Sequence, residues 1–115
     1  MTSKNFCTVV AENTFVKEAR RFWDEKDLED FITYIALHPL EGEEMQGTGG
    51  LRKIRWSRPG TGKRGGVRVI YYFYNENFPL HLLTVYAKAQ QEDLSPEDKK
   101  WLSKLAQQLK SHFKE

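Results

Sequence analysis

Val67-Arg-Val-Ile-Tyr-Tyr-Phe-Tyr74 is the stretch on which the fold turns. Its β-branched and aromatic side chains favour a strand, and Asn75-Glu-Asn77 closes the run with turn-forming residues. On its N-terminal side, Leu51-Arg-Lys-Ile-Arg-Trp-Ser57 alternates well enough for a second strand. Arg58-Pro-Gly-Thr-Gly-Lys-Arg-Gly-Gly66 joins the two most simply as a hairpin loop. On the C-terminal side a third strand runs over Leu80-His-Leu-Leu-Thr-Val-Tyr-Ala87, with Pro79 at its edge or start. Three sequential strands with short connections predict an antiparallel meander.

The flanks complete the plan. Phe6-Cys-Thr-Val-Val10 is β-branched and apolar and reads as a short first strand. Asn13 or Thr14 can cap a helix whose Phe15, Ala19 and Phe22 fall at helical spacing, with Val16 and Trp23 widening the stripe. Asp24-Glu-Lys-Asp27 places acidic groups where a second helix would expose free N–H groups. Leu28, Phe31, Ile32 and Ile35 form that helix's apolar face, and His38-Pro39 ends it. A tight turn joining two antiparallel helices follows. Residues 40–50 hold four glycines and read as a loop. Near the C-terminus, Ser95 is a good N-cap, Pro96 suits the first helical position and Asp98 the third. Trp101, Leu102, Leu105, Leu109 and Phe113 then trace one face expected to pack on the sheet. The order β-α-α-β-β-β-α predicts a compact single α+β domain spanning residues 1–115: an antiparallel meander plus a short N-terminal strand, two N-terminal helices and a C-terminal helix.

A chain of 115 residues suits one core rather than two, and three Trp, five Tyr and seven Phe supply ample packing material. The single cysteine, Cys7, excludes an intramolecular disulfide and is expected as a buried thiol. His38, His81 and His112 show no metal-ligand spacing, so neither metal nor cofactor is expected. No apolar run approaches the roughly eighteen residues of a membrane span, which makes a soluble cytoplasmic protein with no membrane partner the plain expectation.

Charge is distributed unevenly behind a formal net charge of +2. Residues 45–91 hold eight basic side chains and one acid, Glu76, whereas residues 1–44 hold ten acids and five bases. Positive charge concentrated in a β-like stretch points to a phosphate backbone. Gly60-Thr-Gly-Lys63 invites comparison with a nucleotide-binding P-loop, but Ser57 stands where the first glycine belongs and Arg64 where Ser or Thr does. A basic hairpin tip able to follow a phosphate backbone is the better account of Arg58, Lys63 and Arg64.

Strand parity narrows the rest. In a regular strand Lys53 and Arg55 share a face. Arg68 alternates with Val67 and Val69, and Tyr86 and Lys88 share a side with Leu82 and Thr84, leaving His81 on the other. Arg68, Tyr86 and Lys88 can then meet on one patch, from which parity excludes His81 unless the strand carries a bulge. Such a set suits RNA. Cleavage by the substrate's own 2′-hydroxyl needs, in principle, no metal. It needs in-line geometry, removal of the hydroxyl proton, stabilised phosphoryl oxygens and a proton for the 5′-oxygen. Arginine forks can hold the phosphate, lysine can donate or accept a proton, and tyrosine can orient the hydroxyl or stack on a base. The same side chains can equally snorkel along a solvated face or simply pack.

Gly50-Leu-Arg-Lys-Ile-Arg-Trp56, Lys63-Arg-Gly-Gly-Val-Arg-Val-Ile-Tyr-Tyr72, Leu83-Thr-Val-Tyr-Ala-Lys88 and the Glu92-Asp-Leu-Ser-Pro96 lead into the last helix together resemble HigB-type toxins of the RelE/ParE superfamily. The resemblance implies a RelE-like fold and the toxin of a type II toxin–antitoxin system, an endoribonuclease cutting translated mRNA in the ribosomal A site. It implies a cognate antitoxin too, often a helix-turn-helix DNA-binding protein. The family's Arg-x-x-Tyr strand pattern falls on Arg68 and Tyr71, and its basic preceding strand on Lys53 and Arg55. Arg64 matches the basic residue before the paired glycines. The end of the third meander strand matches Val85-Tyr-Ala-Lys88 with a small offset, which carries over Tyr86 and Lys88. The catalytic set is thus expected to be Arg68, Tyr86 and Lys88, with Lys53, Arg55, Arg58, Lys63 and Arg64 holding RNA. Two other readings stand beside it: a noncatalytic module binding RNA or the ribosome, and a gyrase-targeting toxin of the same superfamily.

Overall fold

Strand-forming residues dominate the middle of the chain, and the sheet they build organises everything else. The computed structural model describes residues 6–57, 66–88 and 93–113. Its elements are β1 (Val9–Ala11), α1 (Asn13–Ala19), α2 (Glu25–Leu37), β2 (Glu43–Glu44), β3 (Leu51–Ser57), β4 (Gly66–Tyr72), β5 (Leu80–Ala87) and α3 (Pro96–Phe113). The strands form one sheet in the order β1-β5-β4-β3-β2. β1 runs parallel to β5, and the other neighbours are antiparallel. The α+β class and the meander β3-β4-β5 agree with the sequence. The sheet gains β2, a two-residue edge strand inside the segment read as a loop, and β1 lies nearer α1 than Phe6–Val10 suggested.

Each face of the sheet carries its own core. One buries Ile54, Val67, Val69, Tyr71, Leu80, Leu82 and Val85 against Phe15, Ala19, Trp23, Phe31 and Ile35 of the α1–α2 segment. Trp23 stacks on Phe31 at 5.3 Å, and Phe31 meets the edge of Trp56 at 5.1 Å. The opposite face buries Leu51, Ile70, Tyr72, Leu83 and Tyr86 under Leu94, Leu102 and Ala106 of α3 and its lead-in. Each large side chain so buried contributes about 1.5–3 kcal/mol of transfer free energy.

The capping predictions divide. Asp24 accepts the Asp27 N–H at 2.8 Å and Ser95 Oγ the Asp98 N–H at 3.1 Å, as N-caps should. For α1 the cap is Glu12, without a side-chain cap bond, rather than Asn13 or Thr14. Thr14 instead donates its hydroxyl to the Leu83 carbonyl at 2.6 Å. Trp101 also departs from expectation: it is 51% exposed, whereas Leu102 and Ala106 face the sheet. Cys7 is only partly buried, and burial pushes its thiol up, which disfavours the reactive thiolate. No helix among the described residues is long and apolar enough to cross a membrane.

Candidate nucleic-acid interface

The sheet face beneath α3 is covered only in part, and basic side chains stand beyond the covered part. Three strands supply it through direct cross-strand pairing. Arg55 of β3 lies opposite Arg68 of β4, and Arg68 lies opposite Tyr86 of β5, so the three occupy one rung across the sheet. Lys53 sits two rungs along, opposite Ile70, and therefore on the same face. Lys88 follows the end of β5 and donates its backbone N–H towards the Gly66 carbonyl at 3.5 Å. A shallow depression of about 420 Å³ has Lys53, Arg55, Arg68 and Lys88 in its walls. The basic side chains singled out on β3, β4 and the end of β5 thus come together.

The ladder is regular beside this rung, and a β-bulge interrupts it further along β5. Ile70 pairs with Thr84 but Tyr71 pairs with Leu82, which leaves Leu83 unpaired on β5. One extra residue inverts the alternation beyond it. Leu82 and Val85 consequently both face α1 and α2, while Leu83 and Tyr86 both face α3. The Leu83 carbonyl, without a place in the ladder, takes the Thr14 hydroxyl. Regular parity had grouped Tyr86 with Leu82 and set His81 on the other side; the bulge corrects both placements. His81, opposite Tyr72, shares the face of Tyr86. Five residues of strand still separate them, roughly 15 Å. His81 Nδ1 lies 2.6 Å from Glu12 Oε2, and its ring packs against Phe113. Distance rather than parity keeps this histidine from the basic rung.

Tyr86 is 7% exposed, and its phenol is pushed up to about 12. Burial is the main cause, reinforced by the Asp93 carboxylate and partly offset by Arg68. The side chain stays neutral at ordinary pH, so it can donate a hydrogen bond or stack but cannot serve as a phenolate base. Its hydroxyl reaches Asp93 Oδ1 at a long 3.4 Å.

Asp93 is a member of the site that sequence reasoning did not single out. Burial pushes its carboxyl up, but the Leu94 N–H, Lys99 and Lys53 outweigh burial and hold it below the usual carboxylate range. Lys53 Nζ lies 3.6 Å and Lys99 Nζ 3.1 Å from its oxygens. The lead into α3 therefore ties the helix to a basic strand through one carboxylate. The segment Glu92-Asp-Leu-Ser-Pro96 was the available signal, yet spacing along the chain gave no hint of contact with β3.

Among the described residues no carboxylate lies within ion-pair distance of Arg55 or Arg68. Like charges directly opposite each other on a sheet are destabilising, so this pair is a cost that an anion would relieve. Arg58, Lys63 and Arg64, the predicted hairpin tip, lie outside the described residues.

Comparisons with known proteins agree with this architecture. Residues 9–115 match the family described as the RelE toxin of the RelE/RelB toxin–antitoxin system. Among solved structures, an arginine-to-alanine double mutant of E. coli toxin RelE in the free state superposes with a TM-score of 0.54 at 18% identity, covering 76% of this chain and 88% of that one. At that identity the superposition speaks for the fold.

Proposed function

Because the chain belongs to the RelE toxin family of toxin–antitoxin systems, we propose that it is a ribosome-dependent endoribonuclease of the HigB-like branch, cutting translated mRNA in the A site by attack of the RNA's own 2′-hydroxyl. The observation that carries the reading is the Arg55–Arg68–Tyr86 rung, two guanidiniums without a carboxylate partner among the described residues beside a neutral tyrosine. Arg68 holds the scissile phosphate and stabilises the charge that grows on its oxygens, with Arg55 alongside. Lys88 gives its proton to the departing 5′-oxygen. Tyr86 donates a hydrogen bond to the substrate or stacks on a neighbouring base. Lys53 follows the backbone, and Arg58, Lys63 and Arg64 extend the track. A helix-turn-helix antitoxin is the partner that silences it.

The test is to incubate the purified protein with translating ribosomes and map messenger ends. New ends inside translated codons, lost in Arg68→Ala and Lys88→Ala variants that remain folded, are the expected result. Undiminished cutting in both variants would remove the proposed site. Gyrase-linked DNA breaks with intact mRNA would replace the reading altogether.

A further inference from the structure

We propose that Glu43 accepts the proton of the attacking 2′-hydroxyl, an assignment that rests on the endoribonuclease reading above. The placement comes from register. β2 pairs antiparallel with β3, with Glu43 opposite Lys53 and Glu44 opposite Arg52. Glu43 therefore joins Lys53, Arg55 and Arg68 on the face of the basic rung; Glu44, paired with Arg52, borders the depression beside Asp93 but not the one that holds Arg68 and Lys88. Glu43 lines the 420 Å³ depression with Arg68 and Lys88. It also lines the adjoining depression of about 230 Å³ that contains Lys53 and Asp93.

A base must also be available, and the neighbouring carboxylates are not. Asp93 is engaged by the Leu94 N–H, Lys53 and Lys99. Glu41 acts on the Tyr34 hydroxyl, whose pKa it pushes up. The Glu43 carboxylate makes no hydrogen bond or ion pair among the described residues. A free carboxylate on a surface meant for a polyanion weakens binding by repulsion, so its presence there calls for a gain elsewhere.

The chain also invests in holding Glu43 in place. A two-residue edge strand has little hold of its own. The Tyr71 hydroxyl, fully buried at the sheet, donates to the Pro39 carbonyl and accepts the Gly42 N–H, each at 2.8 Å. Arg52 donates to the Gly42 carbonyl at 2.7 Å and the Leu40 carbonyl at 3.3 Å. A Cβ on Gly42 would stand 2.7 Å from the Tyr71 ring and hydroxyl, so this approach requires glycine. Beyond β2, the Met45 N–H reaches the Leu51 carbonyl at 2.8 Å. Both ends of β2 are thereby fixed against β3 and β4, and Glu43 is the side chain this arrangement delivers to the basic face.

The chemistry balances without a further reactant. The O2′–H bond breaks and its proton passes to the Glu43 carboxylate as O2′ bonds to phosphorus. The P–O5′ bond then breaks, and O5′ takes a proton from the Lys88 ammonium. One RNA end carries a 2′,3′-cyclic phosphate and the other a 5′-hydroxyl, and the two side chains return to their starting states by exchange with water.

The experiment measures single-turnover cleavage on mRNA-programmed ribosomes by wild type, Glu43→Ala and Glu43→Gln, with binding measured separately on mRNA carrying a 2′-deoxy nucleotide at the scissile position. The expected result is a rate lower by about a hundredfold or more, affinity equal or tighter, and an unchanged melting temperature. Sodium formate should restore part of the rate to Glu43→Ala, and sodium chloride at equal ionic strength should not. A rate within about threefold of wild type overturns the assignment, as does a loss that formate leaves unrepaired or that is matched by lost affinity. Arg68→Ala runs in parallel to separate the two levels. Cutting that needs Arg68 but not Glu43 removes only this assignment, whereas a wild type that cuts nothing removes the endoribonuclease reading and Glu43's role with it.

Discussion

The two faces of the sheet share the meander β3-β4-β5 and differ in cover and charge. Under α1 and α2 the face is apolar from Val67 to Leu80, and its aromatic cluster of Trp23, Phe31 and Trp56 packs at ring distances of 5.1–5.3 Å. Under α3 the apolar surface stops partway, and beyond it stand cations that repel one another across a rung. Stability is concentrated on the first face and at the α3-covered end of the second. At the open end Arg55 and Arg68 stand directly opposite each other, a like-charge pairing that costs stability.

Substitutions on opposite faces should therefore separate folding from activity. Phe31 is fully buried between Trp23 and Trp56, so Phe31→Ala should destabilise the protein by about 3–5 kcal/mol. Denaturant unfolding measures it, and a loss below about 1 kcal/mol would contradict the packing described. Arg68→Ala should do the reverse. Cleavage should fall by roughly a hundredfold to a thousandfold while the melting temperature holds or rises, since the Arg55–Arg68 repulsion is relieved. A variant at Arg68 that melts early would mean that the rung supports the fold.

Tyr86 sits at the border of the two regimes, in the apolar cluster under α3 and on the basic rung. Its phenol stands at about 12 in the fold, against about 10 in an unfolded chain. A raised folded value means that the fold prefers the neutral form. The resulting stability is fully present below pH ~10 and is lost as pH rises towards ~12, a difference of roughly 2–3 kcal/mol. Tyr86→Phe removes this titration, so wild type should lose more stability than the variant between those pH values. Equal losses in parallel denaturation series would place the phenol in water rather than beside Leu94.

The meander and the three helices could be read from the sequence because period-2 and period-3.6 patterns and two good N-caps, Asp24 and Ser95, are local signals. The basic residues were legible for the same reason: β3 and β4 are regular, so counting placed Lys53, Arg55 and Arg68 correctly. What escaped depends on contacts remote in sequence. The Leu83 bulge inverts β5 beyond Leu82, and the hydroxyl that satisfies its carbonyl comes from Thr14, 69 residues away. β2 hides in a glycine-rich segment because its hold comes from Tyr71 and Arg52, not from strand propensity. Asp93 sits just before a helix, and only the tertiary fold brings it to Lys53. Trp101 fell on the apolar stripe by count and on the helix shoulder in space, where a small rotation of the helix decides burial.

Asp93 offers the smallest and most discriminating contrast between stabilising and functional charge. It joins α3 to the basic face through Lys99 and Lys53, and its side chain is 42% exposed, so solvent screens both pairs. Such pairs are worth about 0–1 kcal/mol, and Asp93→Asn should lower stability by no more than that. The carboxyl is held below its usual range, so whatever it contributes is present above the unfolded value near 4 and fades as pH falls through the lower folded one. The stability difference between wild type and Asp93→Asn should accordingly close in acid. RNA binding should move the other way. Freed from Asp93, Lys53 adds one cation to the surface and one negative charge leaves it, so affinity should rise and its salt dependence steepen by about one phosphate contact. Weaker binding in a salt titration would mean that Asp93 positions Lys53 for RNA instead of restraining it.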